Sequence, residues 1–203
     1  MRKRVVITGL GCISPLGNSV DEAWQALMAG KTGAGPITHF DASQHKTKFA
    51  CEVKEFDPAA LFGGREARRM DRFTQFALAA ARQALDNSAL TVDDSNRDRI
   101  GVVVGSGIGG IGTLAEQVAV LAEKGPDRVS PFLVPMMISD TAAGMTAIHL
   151  GLRGPNMAVV TACASGNNAI GEAAEMIRRG AADVMLAGGA EAAITPITIA
   201  GMN

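Results

Sequence analysis

Short, continuously apolar runs rich in β-branched residues constrain the fold of this chain more than any other feature. Three of them occupy residues 100–104, 157–161 and 184–187. Runs that are apolar at every position, rather than at alternate positions, are typical of strands buried on both faces. Because helical segments separate the runs, the sequence predicts an α/β fold: a mixed, mainly parallel sheet with helices on both faces.

Two more strands are predicted at residues 5–8, where glycines follow an apolar run, and at residues 192–194. The segment 31–64 is expected to be irregular, with a strand near residues 49–53. Asn18, Ser19 or Asp21 is expected to cap a first helix, which runs through Ala29 and is closed by Gly30. The other helices are predicted over residues 68–87, 113–124, 140–150 and 165–179. The last seven residues show no helix cap or polar tail, which suggests a cut chain.

Composition excludes several classes of protein. The 203 residues suffice for one domain with a real core, and a hydrophobic fraction of 47% is incompatible with disorder. The net charge of −1 gives no overall attraction to nucleic acid or to a membrane. The first residues are interrupted by glycine too soon for a signal peptide, and no apolar run is long enough to span a membrane. The cytoplasm is therefore the expected compartment.

Cys163 is the candidate nucleophile. A predicted buried strand leads into it, and a helix rich in small residues follows it. Free N–H groups and the positive end of a helix dipole favour a thiolate at such a position. The same N–H groups can hold the oxyanion formed when a thioester carbonyl is attacked. The geometry expected is a nucleophile elbow that uses sulfur in place of oxygen.

From these residues alone, a second interpretation of Cys163 stays open, since a cysteine after a strand is commonly a small buried hydrophobe. Cys12 and Cys51 lack a comparable setting and are expected to be packing residues. The wide spacing of the three cysteines predicts neither a disulfide framework nor a metal site. The glycine-rich stretch 105–110 resembles a phosphate-binding loop only weakly, because it lacks the GK[ST] ending.

Several long motifs in order carry a family resemblance: VVITGLGCISPLGN, GSGIGG, SPFLVPMMISD, GLRGPNMAVVTACASG and ADVMLAGGAEAAITP. On these motifs the chain resembles the elongating β-ketoacyl-acyl carrier protein synthases, and most closely synthase II. The resemblance covers the whole chain but about the first half of the family's length. It implies a thiolase-like fold, of which residues 1–203 form the N-terminal βαβαβαββ half.

The resemblance implies decarboxylative condensation in fatty-acid elongation. Cys163 would take an acyl group from acyl carrier protein, and its N–H would serve the oxyanion hole. Malonyl-carrier protein would then lose CO₂ and attack the acyl group. No cofactor or metal is implied. The family's two catalytic histidines and its active-site lysine belong to the other half, so we expect no turnover from this chain alone.

The resemblance also assigns an acyl pocket to Gly107, Ile108, Ala162, Leu133 and Met202. Ile108 would limit the length of the acyl chain. The bulkier aromatic that is common at the position of Leu133 is absent. Homodimers are implied as well, with strand 157–161 pairing across a two-fold axis.

Four arginines form a basic cluster. Their spacing predicts that Arg65, Arg68, Arg69 and Arg72 share one helix face. From the residues alone, a solvated helix face is the more common explanation of such a cluster. The resemblance implies instead that Arg65, Arg68 and Arg69, together with Arg128, bind the acidic carrier protein by electrostatic steering.

Three other functional classes are alternatives to a condensing enzyme. A non-catalytic partner resembling a chain length factor would carry another residue at the nucleophile position, so Cys163 opposes that interpretation. A thiolase would have a different cysteine motif and no use for a carrier-protein surface. A folded fragment without turnover is the third alternative. The histidines His39, His45 and His149 fall in none of the family's histidine motifs and are expected to be solvated or capping residues.

Overall fold

The computed structural model describes residues 3–203. Its helices and strands follow one another in the order α1 (Val20–Met28), β1 (Gly35–Pro36), β2 (Phe49–Ala50), α2 (Pro58–Phe62), α3 (Gly64–Ala67), α4 (Arg72–Asn87), β3 (Ile100–Gly105), α5 (Ile111–Lys124), α6 (Leu133–Met137), α7 (Thr141–Leu150), β4 (Asn156–Val159), α8 (Ser165–Arg178), β5 (Val184–Gly189) and α9 (Pro196–Gly201). Short 3₁₀ turns occupy Arg97–Arg99 and Pro126–Arg128.

The main sheet has three parallel strands in the order β4-β3-β5. Val103, in the central strand, lies opposite Met157 on one side and Ala187 on the other. The side chains of Ile100, Val102 and Val103 are at most 1% exposed. The apolar run of β3 is therefore buried on both faces, as predicted, whereas β4 and β5, on either side of it, are partly exposed. β1 and β2 pair antiparallel in a separate small ribbon.

Helices cover both faces of this sheet. On one face, Ile100, Val102 and Val104 pack in one cluster with Phe73 of α4 and with α7. On the other face, Val103 packs against α8. Full burial of each of these side chains stabilises the fold by roughly 1.5–3 kcal/mol. The predicted α/β layering is confirmed.

Helix α4 begins at Arg72, four residues later than the predicted start at residue 68. The reason is a cap at Asp71, where one carboxylate oxygen accepts the N–H of Phe73 at 3.2 Å. The other oxygen accepts the N–H and the hydroxyl of Thr113 at 3.0 and 2.6 Å. The buried Asp71 thus fixes the start of α4 against the start of α5.

Two of the predicted strands are absent from the described residues. Residues 5–8 form no strand, and Val6 and Ile7 are 65% and 78% exposed. The chain there follows α4 instead of the sheet, since the N–H of Leu10 binds the side chain of Asn87 and that of Cys12 binds Gln83. Residues 192–194 form the link between β5 and α9 and take part in no strand pairing.

Helix α9 was not predicted, and its cap lies just before the last seven residues. The hydroxyl of Thr195 accepts the N–H of Thr198, and Pro196 occupies the first helical position. The remaining predicted helices form within three residues of their expected bounds. Among the described residues, no helix is both long and apolar enough to cross a membrane.

Candidate active site

Cys163 lies in the tight turn between β4 and α8, and its side chain is exposed. The residue before it, Ala162, has φ 51°, which places a non-glycine residue in the left-handed region. Such a conformation costs about 1–3 kcal/mol and is concentrated at functional sites. The structure therefore forms the strained strand-to-helix elbow expected around the thiol.

Side-chain hydrogen bonds hold this turn in place. The hydroxyl of Ser165 donates to the carbonyl of Ala162 at 2.7 Å and accepts the N–H of Thr161 at 2.9 Å. The amide of Asn168 donates to the hydroxyl of Thr161 at 2.9 Å. These bonds span both sides of Cys163, so the strained backbone is fixed from β4 through the first turn of α8.

The N-terminus of α8 is adjacent to the thiol. The helix starts at Ser165, and no side chain caps it. Its positive end favours an oxyanion formed nearby. The role of nucleophile that the sequence predicts for Cys163 is compatible with its position beside this helix start.

Glycines let the start of α8 approach the strands closely. A Cβ added at Gly105, the last residue of β3, would lie 2.8 Å from the Cβ of Ser165 and closer still to its carbonyl oxygen. A Cβ added at Gly189, the last residue of β5, would lie 2.8 Å from the Cα of Gly166. The position of the elbow thus depends on backbone-to-backbone packing at the ends of β3 and β5.

The segment 106–110, here called the glycine loop, lies beside the elbow. A Cβ added at Gly107 would be 3.6 Å from the Cα of Ala162. The carboxylate of Glu191 accepts the N–H of Gly107 at 2.7 Å and the N–H of Ile108 at 3.2 Å. The sequence analysis did not predict a role for Glu191, although an acidic residue two positions after a strand that ends in glycines was the available signal.

The structure brings together only part of the predicted acyl pocket. Gly107, Ile108 and Ala162 lie next to one another at the elbow, and Ile108 is 43% exposed. Leu133, half-buried, begins α6, whose last carbonyl accepts the N–H of Gly110 at 2.8 Å. Met202 follows α9 and is 76% exposed, so its assignment to the pocket stays a prediction.

The prediction of one basic helix face is wrong. Arg65 lies in α3, Arg68 and Arg69 connect α3 to α4, and Arg72 opens α4. The guanidinium of Arg72 lies 4.9 Å from the centre of the Phe76 ring and is half-buried. Burial lowers the pKa of Arg72, and the charge of Glu52 opposes that shift. Arg72 is therefore a packing residue.

Exposed arginines remain as a candidate surface: Arg65, Arg68, Arg69 and Arg128. Arg69 lies 3.8 Å from Glu66 and 5.0 Å from the centre of the Phe132 ring. The link between α3 and α4 is thereby connected to the start of α6. The role of these arginines in binding stays a prediction.

The other cysteines differ from expectation in one respect. Cys51 is exposed, so its prediction as a packing residue is wrong, whereas Cys12 is half-buried. All three thiols are free. No group of metal-ligating side chains occurs within residues 3–203.

The polar contacts of the three histidine side chains involve no residue of the Cys163 turn. The imidazole of His39 is 3.7 Å from the buried carboxylate of Glu52. His45 contacts the carbonyl of Pro196 at 3.1 Å, and His149 contacts the carbonyl of Met145 at 3.0 Å. His39 is exposed, as predicted for a solvated residue, whereas His45 and His149 are half-buried.

Two cavities open elsewhere on the described part of the chain. One, of about 420 Å³, is lined by residues that include Cys12, Cys51 and Arg72, and it extends to Gly189 and Glu191 beside the glycine loop. The other, of about 570 Å³, is apolar and lies between α5 and the start of α9. Cys163 lines neither of these two cavities, and it is exposed at the surface of the described part of the chain.

Comparison with known proteins agrees with this geometry. Residues 2–203 match the model of the family described as "Beta-ketoacyl synthase, N-terminal domain". The chain is 52% identical over 200 residues to 3-oxoacyl-[acyl-carrier-protein] synthase 2 of Synechocystis sp., covering 98% of this chain and 48% of that relative. The chain thus spans about half the length of the curated relatives it matches.

Solved structures show the same fold. The ishigamide ketosynthase/chain length factor superposes with a TM-score of 0.91 at 35% identity, over 100% of this chain and 50% of that one. The AntDE:AntF complex, a type II PKS acyl-carrier protein with its ketosynthase, gives 0.84 at 28% identity over 99% of this chain and 54% of that one. The predicted thiolase-like α/β fold is confirmed. With the family match extending along residues 2–203, the chain belongs to the β-ketoacyl synthase family and corresponds to its N-terminal domain.

Proposed function

We propose that this chain is the nucleophile-bearing half of a 3-oxoacyl-[acyl carrier protein] synthase of fatty-acid elongation. The observation that carries the proposal is the exposed thiol of Cys163 on a strained elbow at the start of α8. A non-catalytic role like that of a chain length factor would not need a thiol at this position.

The proposed half-reaction is transfer of an acyl group from the thiol of acyl carrier protein to Cys163. The Cys163 thiolate attacks the thioester carbonyl, and the oxygen takes the negative charge of the tetrahedral intermediate. N–H groups at the start of α8 would stabilise that charge. Collapse of the intermediate breaks the bond to the carrier's sulfur, which leaves as a thiolate and takes up the proton released by Cys163.

Condensation is proposed to need groups outside these 203 residues. Loss of CO₂ from a malonyl thioester leaves an enolate, whose oxygen needs hydrogen-bond donors as it forms. The histidines of this chain contact Glu52, Pro196 and Met145 instead. We expect the purified chain, given acyl- and malonyl-carrier proteins, to become acylated while releasing no CO₂. Steady CO₂ release with formation of a β-ketoacyl product would contradict this division.

Acyl carrier protein is the proposed partner, and Arg65, Arg68, Arg69 and Arg128 are its proposed binding surface. All four side chains are exposed, and carrier proteins are acidic. The AntF carrier protein bound to its ketosynthase, seen in a similar structure, supports a partner of this kind. Such an encounter depends on charge more than on buried area.

Reversing the charge of Arg65, Arg68 and Arg69 to glutamate should weaken binding of acyl carrier protein by at least about tenfold at low salt, because attraction becomes repulsion. Wild-type binding should weaken with salt, since exposed charges are screened over about 10 Å at 0.1 M. Titration calorimetry measures both effects. The matched control reverses Lys31, Arg153 and Arg179, which are also exposed. If the control triple weakens binding as much as the first, net charge and not this surface is responsible.

A homodimer in the cytoplasm is proposed as the assembly and location. β4 is an edge strand of the sheet, and Met157 and Val160 are 38% and 57% exposed. An edge of this kind can pair with another strand. Pairing of β4 with its copy would extend the sheet through both subunits.

A further inference from the structure

We propose that Glu191 is a positioning residue of the acyl site: it fixes the glycine loop and thereby the placement of Ile108 next to Cys163. This inference rests on the proposed function of Cys163 as the acyl acceptor. Glu191 itself would touch neither the thioester nor the thiol.

Hydrogen bonds to one carboxylate define the loop. One oxygen of Glu191 accepts the consecutive N–H groups of Gly107 and Ile108 at 2.7 and 3.2 Å. The other accepts the hydroxyl of Ser106 at 3.3 Å. Successive backbone N–H groups that point to one place form an anion-binding concavity. In this chain the anion is the carboxylate of Glu191.

Ser106 extends this arrangement into the core. Its side chain is 2% exposed, and its hydroxyl accepts the N–H of Gly109 at 3.0 Å. Glu191 and Ser106 together bind the N–H groups of Gly107, Ile108 and Gly109. The backbone of the loop is thus held from the end of β5.

At its two ends the loop is bound by backbone groups, since the N–H of Ser106 donates to the carbonyl of Val159 at 3.3 Å and that of Gly110 donates to the carbonyl of Met137 at 2.8 Å. The three N–H groups between these ends bind the side chains of Glu191 and Ser106. Glycine loses more conformational freedom on folding than any other residue, and fixing each backbone costs roughly 1–2 kcal/mol.

The backbone just before Glu191 is tied to the end of β3, because the N–H of Ala190 donates to the carbonyl of Gly105 at 3.0 Å. Glu191 itself is exposed. Gly107 lies between Glu191 and the elbow: a Cβ added there would be 3.0 Å from the carboxylate and 3.6 Å from the Cα of Ala162.

Loss of the carboxylate should therefore leave the backbone of Ile108 less firmly held, while the thiol of Cys163 stays in place. Small reagents would still reach Cys163, whereas long acyl groups, which must pass the side chain of Ile108, would meet an altered site. Glu191→Gln retains an oxygen that can accept both N–H groups, so it should behave like wild type. Glu191→Ala retains none.

The test compares wild type, Glu191→Gln and Glu191→Ala in two measurements. The first is hydrogen exchange at Gly107 and Ile108, which we expect to be roughly tenfold faster in Glu191→Ala, because hydrogen bonds to a charged group are lost. The second is acylation of Cys163 by hexanoyl and dodecanoyl N-acetylcysteamine thioesters, with iodoacetamide as the small reagent. We expect the ratio of the two acylation rates to change at least about threefold in Glu191→Ala, with the iodoacetamide rate altered by less than about twofold. Glu123→Ala, which removes an exposed carboxylate near the far end of α5, is the matched control.

The outcomes separate this inference from the proposed function. Unchanged exchange at Gly107 and Ile108 in Glu191→Ala overturns the positioning role, whatever the reactivity of the thiol. An unchanged acylation ratio overturns the link to Ile108. A Glu191→Gln variant as impaired as Glu191→Ala would show that charge, and not acceptance of the two N–H groups, is what matters. If wild-type Cys163 takes no acyl group, the proposed function fails, and the exchange measurement still decides whether Glu191 holds the loop.

Discussion

Replacing Cys163 with serine should lower acyl transfer to this chain by roughly four orders of magnitude, because a serine hydroxyl has no ionised form at neutral pH to act as nucleophile. The substitution changes one atom on an exposed side chain, so the free energy of unfolding should change by less than about 0.5 kcal/mol. Mass spectrometry of the chain after incubation with acyl-carrier protein measures the rate.

The matched control for this substitution is Cys51→Ser. Cys51 is also an exposed free thiol, but it lies in the short strand region near β2 and away from any helix start. We expect its acylation rate to remain within about twofold of wild type. If the acylation rate fell equally in the two variants, the rate would depend on exposure of a thiol and not on its position at the elbow.

Gly105→Ala should damage both stability and acyl transfer. The added Cβ would overlap the first residue of α8, and insertion of a methyl group into close packing typically costs about 1–3 kcal/mol. Relief of the overlap must move the start of α8 away from β3. A displacement of about 1 Å at a reacting group can cost about 10²-fold in rate, so acylation of Cys163 should fall by a similar factor.

Gly188→Ala is the control for Gly105→Ala. Gly188 belongs to the neighbouring strand β5, and a Cβ added there meets no atom within 4 Å. Urea unfolding and the acylation rate are measured for both variants. If Gly105→Ala matches Gly188→Ala in both measurements, the close approach of β3 to α8 does not determine the position of the thiol.

The central sheet could be predicted because its strands are apolar at every position. The same pattern failed at residues 5–8, where the chain follows α4 and leaves Val6 and Ile7 exposed. An apolar run indicates that a segment can be buried, but it does not identify what will cover it. Within residues 3–203, no strand pairs with residues 5–8. The apolar run does not indicate whether a partner strand is present.

The candidate site was predicted at Cys163 and missed at Glu191, and the difference is one of sequence distance. The elbow is local: strand, thiol and helix follow one another within a few residues. Glu191 binds Gly107 across 84 residues, and this contact depends on the adjacent ends of β3 and β5. Arg72 shows the same limit, since helical spacing placed it with Arg68 and Arg69 whereas packing buries its guanidinium against Phe76.

Peptide mapping after reaction with an acyl-carrier protein tests the central claim most directly. The wild-type chain is incubated with the carrier protein, digested at low pH to preserve thioesters, and each cysteine peptide is examined for the mass of the acyl group. The account predicts the acyl group on Cys163 and none on Cys12 or Cys51. An acyl group on Cys51 at an equal or higher level, or no acylated cysteine at all, would contradict the assignment of Cys163 as the acyl acceptor.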